Sequence, residues 1–153
     1  MSYRARVYHQ SSHLGDEFLL RRRPERQNLT FESLELLAAA DVGQGRFYGG
    51  GEFILSRQPS SFDRGILSGG FDFIGARPMF GIGRPVLAVG LKSVQESHWN
   101  VGLTGLVGVQ FGAANTPDRT LRFVVEGFTG KNPHGQFYQD KADYLGVGMY
   151  LGF

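Results

Sequence analysis

A two-residue alternation of apolar and mixed side chains recurs along almost the whole chain, and few folds accommodate it. In 3–10, Tyr3, Ala5, Val7 and His9 alternate with Arg4, Arg6, Tyr8 and Gln10. In 46–55, Phe47, Phe53 and Leu55 oppose Arg46, Tyr48 and Glu52; in 66–74, Leu67, Phe71 and Phe73 oppose Ser68 and Asp72. In 85–93, Leu87, Val89 and Leu91 oppose Ala88 and Lys92; in 101–111, Val101, Leu103, Val107, Val109 and Phe111 oppose Thr104 and Gln110. In 121–128, Leu121, Phe123 and Val125 oppose Arg122, Val124 and Glu126. In 144–153, Leu145, Val147, Met149, Leu151 and Phe153 oppose Tyr144 and Tyr150. Successive side chains of a strand point to opposite faces, so each segment predicts a strand with one apolar face.

Segment 29–40, "LTFESLELLAAA", is rich in Leu, Glu and Ala, which favour a helix. Its neighbours on both sides read as strands and its links are short. It is therefore read as a strand, with Leu34, Leu36 and Ala38 on one face and Ser33 and Glu35 on the other. That makes eight strands, each about the length of a tilted bilayer crossing. The connections "DVGQG", "SRQPSSFDRG", "GARPMFGIGRP", "QESHWN", "AANTPDR" and "TGKNPHGQFYQDKAD" carry turn residues. The Gly-rich "YGGGEF" lacks a following Lys-Ser or Lys-Thr, so it reads as a bend or close approach within a strand rather than a phosphate loop.

Composition agrees. The chain of 153 residues is one domain at most, and its 23 glycines are about twice ordinary usage. Cysteine is absent, which excludes disulfides and thiolate metal sites. The formal charge of +2 is too small to argue for nucleic acid. No apolar run approaches the roughly 20 residues of a membrane helix. The start, "MSYRARVYHQ", has no apolar segment of signal-peptide type, so the chain is mature, truncated or not exported.

The mid-strand charges sort by parity. Arg4, Arg6, Glu35, Glu52, Asp72, Lys92, Arg122 and Glu126 all fall on the mixed face. Four are positive and four negative, as a narrow lumen filled by paired charges requires. Alternation alone does not say which face is outside. A lipocalin-like soluble barrel turns its apolar face inward and a membrane barrel turns it outward. The small residues and tyrosines of the mixed face favour the membrane. So does the apolar alternation that runs from Leu145 to a terminal Phe153. That ending resembles the last strand of bacterial outer-membrane barrels, whose final aromatic is recognised by the barrel-insertion machinery.

The stretches "YHQSSHLGDEFLLRRRPERQNLTFES", "YGGGEF", "GLKSVQESHWN" and "HGQFYQDKADYLGVGMYLGF" extend the likeness over essentially the whole chain. Together they resemble a bacterial domain-of-unknown-function family whose members are predicted outer-membrane β-barrel proteins. Where that family reads DLKSW, this chain has Gly90 for the acid and Val94 for the Trp. The resemblance implies location in the outer membrane of a Gram-negative bacterium, and it brings no assigned activity. It also implies that the chain corresponds to the C-terminal half of longer proteins, lacking a signal peptide and the first strands.

The expected fold is an antiparallel up-and-down β-barrel of about eight strands, of transmembrane type, or the C-terminal part of a larger barrel. With Phe153 ending in the periplasm, turns 41–45, 75–84 and 112–120 face that side. Loops 11–28, 56–65, 93–100 and 129–143 then face outward and gather His9, His13, His98 and His134 at one rim.

Candidate chemistry concentrates there. His9 and Ser11 stand at i and i+2 on one face, so an imidazole can take the Ser proton for nucleophilic acyl transfer. The pair resembles the His-x-Ser of outer-membrane phospholipase A, and Glu32 on the next strand is the candidate to orient the imidazole. Its bland counterpart is a rim strand whose polar side chains bond loop backbone and lipid headgroups. His9, His13 and Asp16 offer imidazole and carboxylate metal ligands, Asp16 and Glu17 offer calcium ligands, or else His13, Asp16 and Glu17 belong to a solvated loop. Arg21, Arg22, Arg23 and Arg26 either grip lipopolysaccharide phosphates or are a solvated charge run. Trp99, Phe137 and Tyr138 suit an interfacial girdle or plain loop packing.

Three functions follow. The first is an outer-membrane barrel of structural or lipid-associated role, with membrane lipid and lipopolysaccharide as partners, no nucleic acid and no required cofactor. The second is a lipid acyl hydrolase built on Ser11, His9 and Glu32. The third is a soluble, lipocalin-like binder of an apolar ligand.

Overall fold

The computed structural model describes residues 1–11, 29–79, 81–112, 120–131 and 140–152. Eight strands form there: β1 (Ser2–Ser11), β2 (Thr30–Val42), β3 (Gly45–Gln58), β4 (Gly65–Ile74), β5 (Arg84–Val94), β6 (Val101–Phe111), β7 (Thr120–Lys131) and β8 (Lys141–Gly152). They make one sheet in which each strand pairs antiparallel with its sequence neighbours, in the order β1 to β8. Segment 29–40 is a strand, because Ser33 and Glu35 find partners on one face while Leu34 and Leu36 stand exposed on the other. Among the described residues no helix is long and apolar enough to cross a membrane, a statement that does not bear on strands.

The register carries one parity through the sheet. Arg6 lies opposite Glu35 and Glu35 opposite Glu52. Asp72 pairs with Ala88 and Ser68 with Lys92. Gln110 pairs with Arg122, and Glu126 with Gly146. All eight charges assigned to the mixed face therefore project from one side of the sheet. Gln10, Lys92, Phe128 and Lys131, from β1, β5 and β7, line a common cavity on that side. The sheet thus curls around its charged face, which is the inner one.

The outer face is apolar and uncovered. Leu145 is 80% exposed and Val147 88%, and Leu36, Leu67, Val107 and Phe123 are all exposed as well. Aromatic pairs knit this face across strands: the Phe47 and Phe71 rings lie 4.7 Å apart, and Phe111 meets Phe123 edge-on at 6.0 Å.

Among the described residues the sheet does not close into a barrel by itself, as the first of the two expected forms requires. β1 and β8 are the two edges of the sheet and do not pair with one another. Alternation is a local property that fixes which face each residue joins. Closure depends on strand number and shear around the whole circle, which no single segment encodes.

The buried core is small and sits at one end of the inner face. Leu29, Phe31, Ile54, Phe62 and Ile66 form one cluster, with Val94 packed against it. Phe62 belongs to the β3–β4 connection, which folds back into the lumen so that its ring stacks on Phe31 at 6.1 Å. A bulge helps to make this packing. Glu32 pairs with Ser56 and Ser33 with Ile54, so Leu55 is the extra residue. The bulge re-aims the strand above Ile54.

Candidate functional site

The inner face divides into three zones along the strand direction. At the end where β2 and β3 join, the chain reverses in two residues, Gly43 and Gln44, with Gly43 at φ 63°. Just above, Tyr48 lies across the inner face of β4 and β5. A Cβ at Gly70 would collide with the Tyr48 hydroxyl, and one at Gly90 would sit 3.5 Å from it. The glycines of β4 and β5 thus open the space that the phenol fills.

The middle zone is ionic. Glu35 is almost fully buried and accepts a hydrogen bond from Arg4 at 2.8 Å and another from Arg6. Its cross-strand neighbour Glu52 accepts from the wholly buried Ser33 hydroxyl. On the far side of the sheet Arg122 donates to Gln110 at 2.6 Å. The Tyr144 hydroxyl donates to Glu126 at 3.0 Å. Arg6 also stacks over the Tyr8 ring at 5.0 Å.

The third zone is the rim formed by the ends of β1, β3, β5 and β7. The β5–β6 connection contains a short 3₁₀ turn, Gln95–Ser97, followed by His98 and Trp99 at φ 55° and 60°. Two consecutive non-glycine residues in the left-handed region are strained and persist only where surroundings impose them. Here the Ser93 hydroxyl donates to the Trp99 carbonyl at 2.8 Å, and the Trp99 N–H donates to the Val94 carbonyl at 3.2 Å. The loop is also tied to its neighbour. The Asp63 N–H donates to Glu96 at 2.8 Å and the Gly65 N–H to the Gln95 side chain at 3.1 Å.

The candidate site residues divide by location. His9 and Glu32 are direct cross-strand partners on the outer face, with Nδ1 and Oε1 3.8 Å apart and both side chains well exposed. The Ser11 backbone pairs with Thr30 in the same ladder, and its side chain lies outside the described residues. His13, Asp16, Glu17, Arg21, Arg22, Arg23 and Arg26 also lie outside them, as do Phe137 and Tyr138. Among the described residues no cluster of three or more metal-ligating side chains occurs.

The sequence did not point to the small cavity beneath the rim, between the Phe62 loop and the β5–β6 loop. Its residues come from separate strands, and only the register brings them together. The even parity of Phe128 and Lys92 was the available signal.

Comparison with known proteins gives one family. The model described as "Protein of unknown function (DUF1207)" matches residues 1–153. No curated protein and no solved structure matches the chain.

Proposed function

The chain belongs to this DUF1207 family, and on that premise we propose that it forms the wall of a bacterial outer-membrane β-barrel. The observation that carries the reading is the outer face. Val147, Leu145, Val107 and Phe123 are exposed where a protein in water buries such residues. Contiguous exposed apolar patches on soluble monomers rarely exceed a few hundred Å², and this one spans the strands of an eight-stranded sheet. Lipid tails are the medium in which it costs nothing.

The inner face supports the same reading. Arg4 and Arg6 hold Glu35, and Arg122 holds Gln110, so several of its charged side chains meet a polar partner from a neighbouring strand. A lipocalin-like binder needs the reverse arrangement, with the apolar side turned inward. In hydrocarbon each unpaired backbone group costs several kcal/mol. The edges of β1 and β8 must therefore be joined in the membrane, to one another or to further strands.

The test uses the absence of cysteine. Single cysteines replace Val147, Val107 and the inner-facing Thr104, and each carries a fluorophore. The protein is folded into vesicles containing nitroxide-labelled lipid. Strong quenching at the two valine positions and weak quenching at Thr104 is the expected result. Equal quenching at all three, or a chain that is monomeric and folded in buffer without detergent, overturns the proposal.

A second reading rests on the His9–Glu32 pair. With Glu32 beside Nδ1, the Nε2 of His9 is left to accept the Ser11 proton. The Ser11 oxygen then attacks a lipid ester, the alcohol leaves with the proton, and water hydrolyses the acyl-enzyme. Fatty-acid release from phospholipid that disappears in Ser11→Ala supports this reading, and release that is unchanged, or absent from the parent chain, removes it.

A further inference from the structure

The cavity beneath the rim has a volume of about 110 Å³. Its floor is apolar, made by Phe31, Phe62, Ile66 and Phe128. Its lip is polar, made by Lys92, Lys131, Ser97 and Asn100, with Glu96 and Gln10 beside them. Glu96 is engaged by the Asp63 N–H. We propose that this cavity binds a small monocarboxylate, with its hydrocarbon part on the phenylalanine floor and its carboxylate at Lys92.

Lys92 is the centre of the argument. It projects inward from β5 between Ser68 on β4 and Gly102 on β6, both too small to cover it. Among the described inner-face cations Arg4, Arg6 and Arg122 have side-chain acceptors; Lys92 has none, and neither has Arg84 at the other end of β5, but only Lys92 lines the apolar hollow. An ammonium on the wall of a curled sheet, next to an apolar hollow, attracts an anion that brings its own hydrocarbon. A fully hydrated anion gains little there, and a neutral hydrocarbon leaves the ammonium uncompensated.

The hollow is built rather than incidental. A Cβ at Gly102 would already touch the Phe128 ring at 3.5 Å, so the missing side chain leaves the space in front of that ring. Phe128 is held from the side by Tyr144, whose ring stacks on it at 5.4 Å. The opposite wall is fixed by the two hydrogen bonds that tie the β5–β6 loop to the β3–β4 loop. Size limits the occupant. A closed cavity of about 150 Å³ holds benzene. One of about 110 Å³ that is open at its lip takes a single ring or a short alkyl group, not a full lipid acyl chain. The proposal concerns the inner face alone and stands whether or not the outer face contacts lipid.

The experiment is titration of the chain, in a neutral detergent, with benzoate and with benzylamine, followed by ligand-observed NMR. Benzoate is expected to bind in the millimolar range or tighter, and benzylamine at least tenfold more weakly. Lys92→Gln is expected to weaken benzoate about tenfold. Gly102→Leu, which fills the hollow, is expected to abolish binding while leaving the far-ultraviolet circular dichroism of a β-sheet. Should Gly102→Leu misfold, Ser97→Trp blocks the same hollow from the loop. No saturable binding of benzoate overturns the proposal. So does equal binding of the two probes, or undiminished benzoate binding in Lys92→Gln and in the filled variant.

Discussion

Glu35 stands directly opposite Glu52 across the β2–β3 ladder, and both project from the inner face of the curled sheet. Like charges face to face across a ladder repel. The repulsion is offset on two sides: Arg4 and Arg6 hold Glu35, and the Ser33 hydroxyl holds Glu52. The side chain of Glu35 is 7% exposed, while Arg4 and Arg6 remain about half exposed. Glu35→Gln therefore removes a buried carboxylate with two solvated partners. The expected loss is about 1–2 kcal/mol, below the range for a fully buried pair because solvent screens the arginines. Arg4→Gln is expected to cost less, since Arg6 stays in place. Urea unfolding in detergent, followed by the single Trp99, reads both.

Tyr48 and Gly70 fill one space. Gly70→Ala drives a methyl group into the phenol and equally into the Val89 carbonyl. It is expected to destabilise by about 1–3 kcal/mol, the usual cost of overpacking, of which Tyr48→Ala relieves only the part due to the phenol. Tyr48→Ala vacates the same volume. The double variant is therefore expected to be more stable than the sum of the two single losses predicts, by at least about 0.5 kcal/mol. Strict additivity in a double-mutant cycle would mean that the two side chains do not share that space.

Phe62 anchors the β3–β4 connection inside the rim and is 4% exposed. Phe62→Ala is expected to cost about 3 kcal/mol, through lost transfer energy and the cavity left beside Phe31. The same variant enlarges the hollow at Lys92, so benzoate affinity is expected to change along with stability. An unfolding midpoint equal to that of the parent would show that the loop contributes nothing to the fold.

Val147 lies at the middle of β8 and faces outward. In a bilayer Val147→Arg is expected to lower the folding free energy by about 2–4 kcal/mol, as for an arginine at the midplane of a barrel. In water the same change is neutral or improves solubility. Refolding yields into vesicles for Val147→Arg and for Val147→Leu separate the two cases, with the leucine variant near the parent level.

The sheet was legible in the sequence because its signal is local. Alternation placed Arg4, Glu52, Lys92 and Arg122 on one face, and the ladders put them there. Segment 29–40 could be read only from its context, strands on both sides and short links, since its own Leu, Glu and Ala favour a helix. The relationships that needed three strands at once were not legible. Tyr48 over Gly70 and Gly90 is one, and the hollow between Lys92, Gly102 and Phe128 is another. Nothing in "SRQPSSFDRG" announces that Phe62 turns inward, because a loop aromatic has no period to reveal its side. The pairing of His9 with Glu32 was legible, since both lie close to the same strand–loop junction and on faces of matching parity.

On the proposed membrane reading, the margins of β1 and β8, unpaired among the described residues, set how this sheet responds to dilution. A sheet whose backbone must be saturated along both sides has no stability of its own in oil; the unit that melts includes whatever ribbon lies beside it. Where that ribbon is a second copy, the melting temperature climbs with protein concentration by mass action. Where it is covalently attached, or where the two margins meet each other, a hundredfold dilution leaves the melting temperature unmoved.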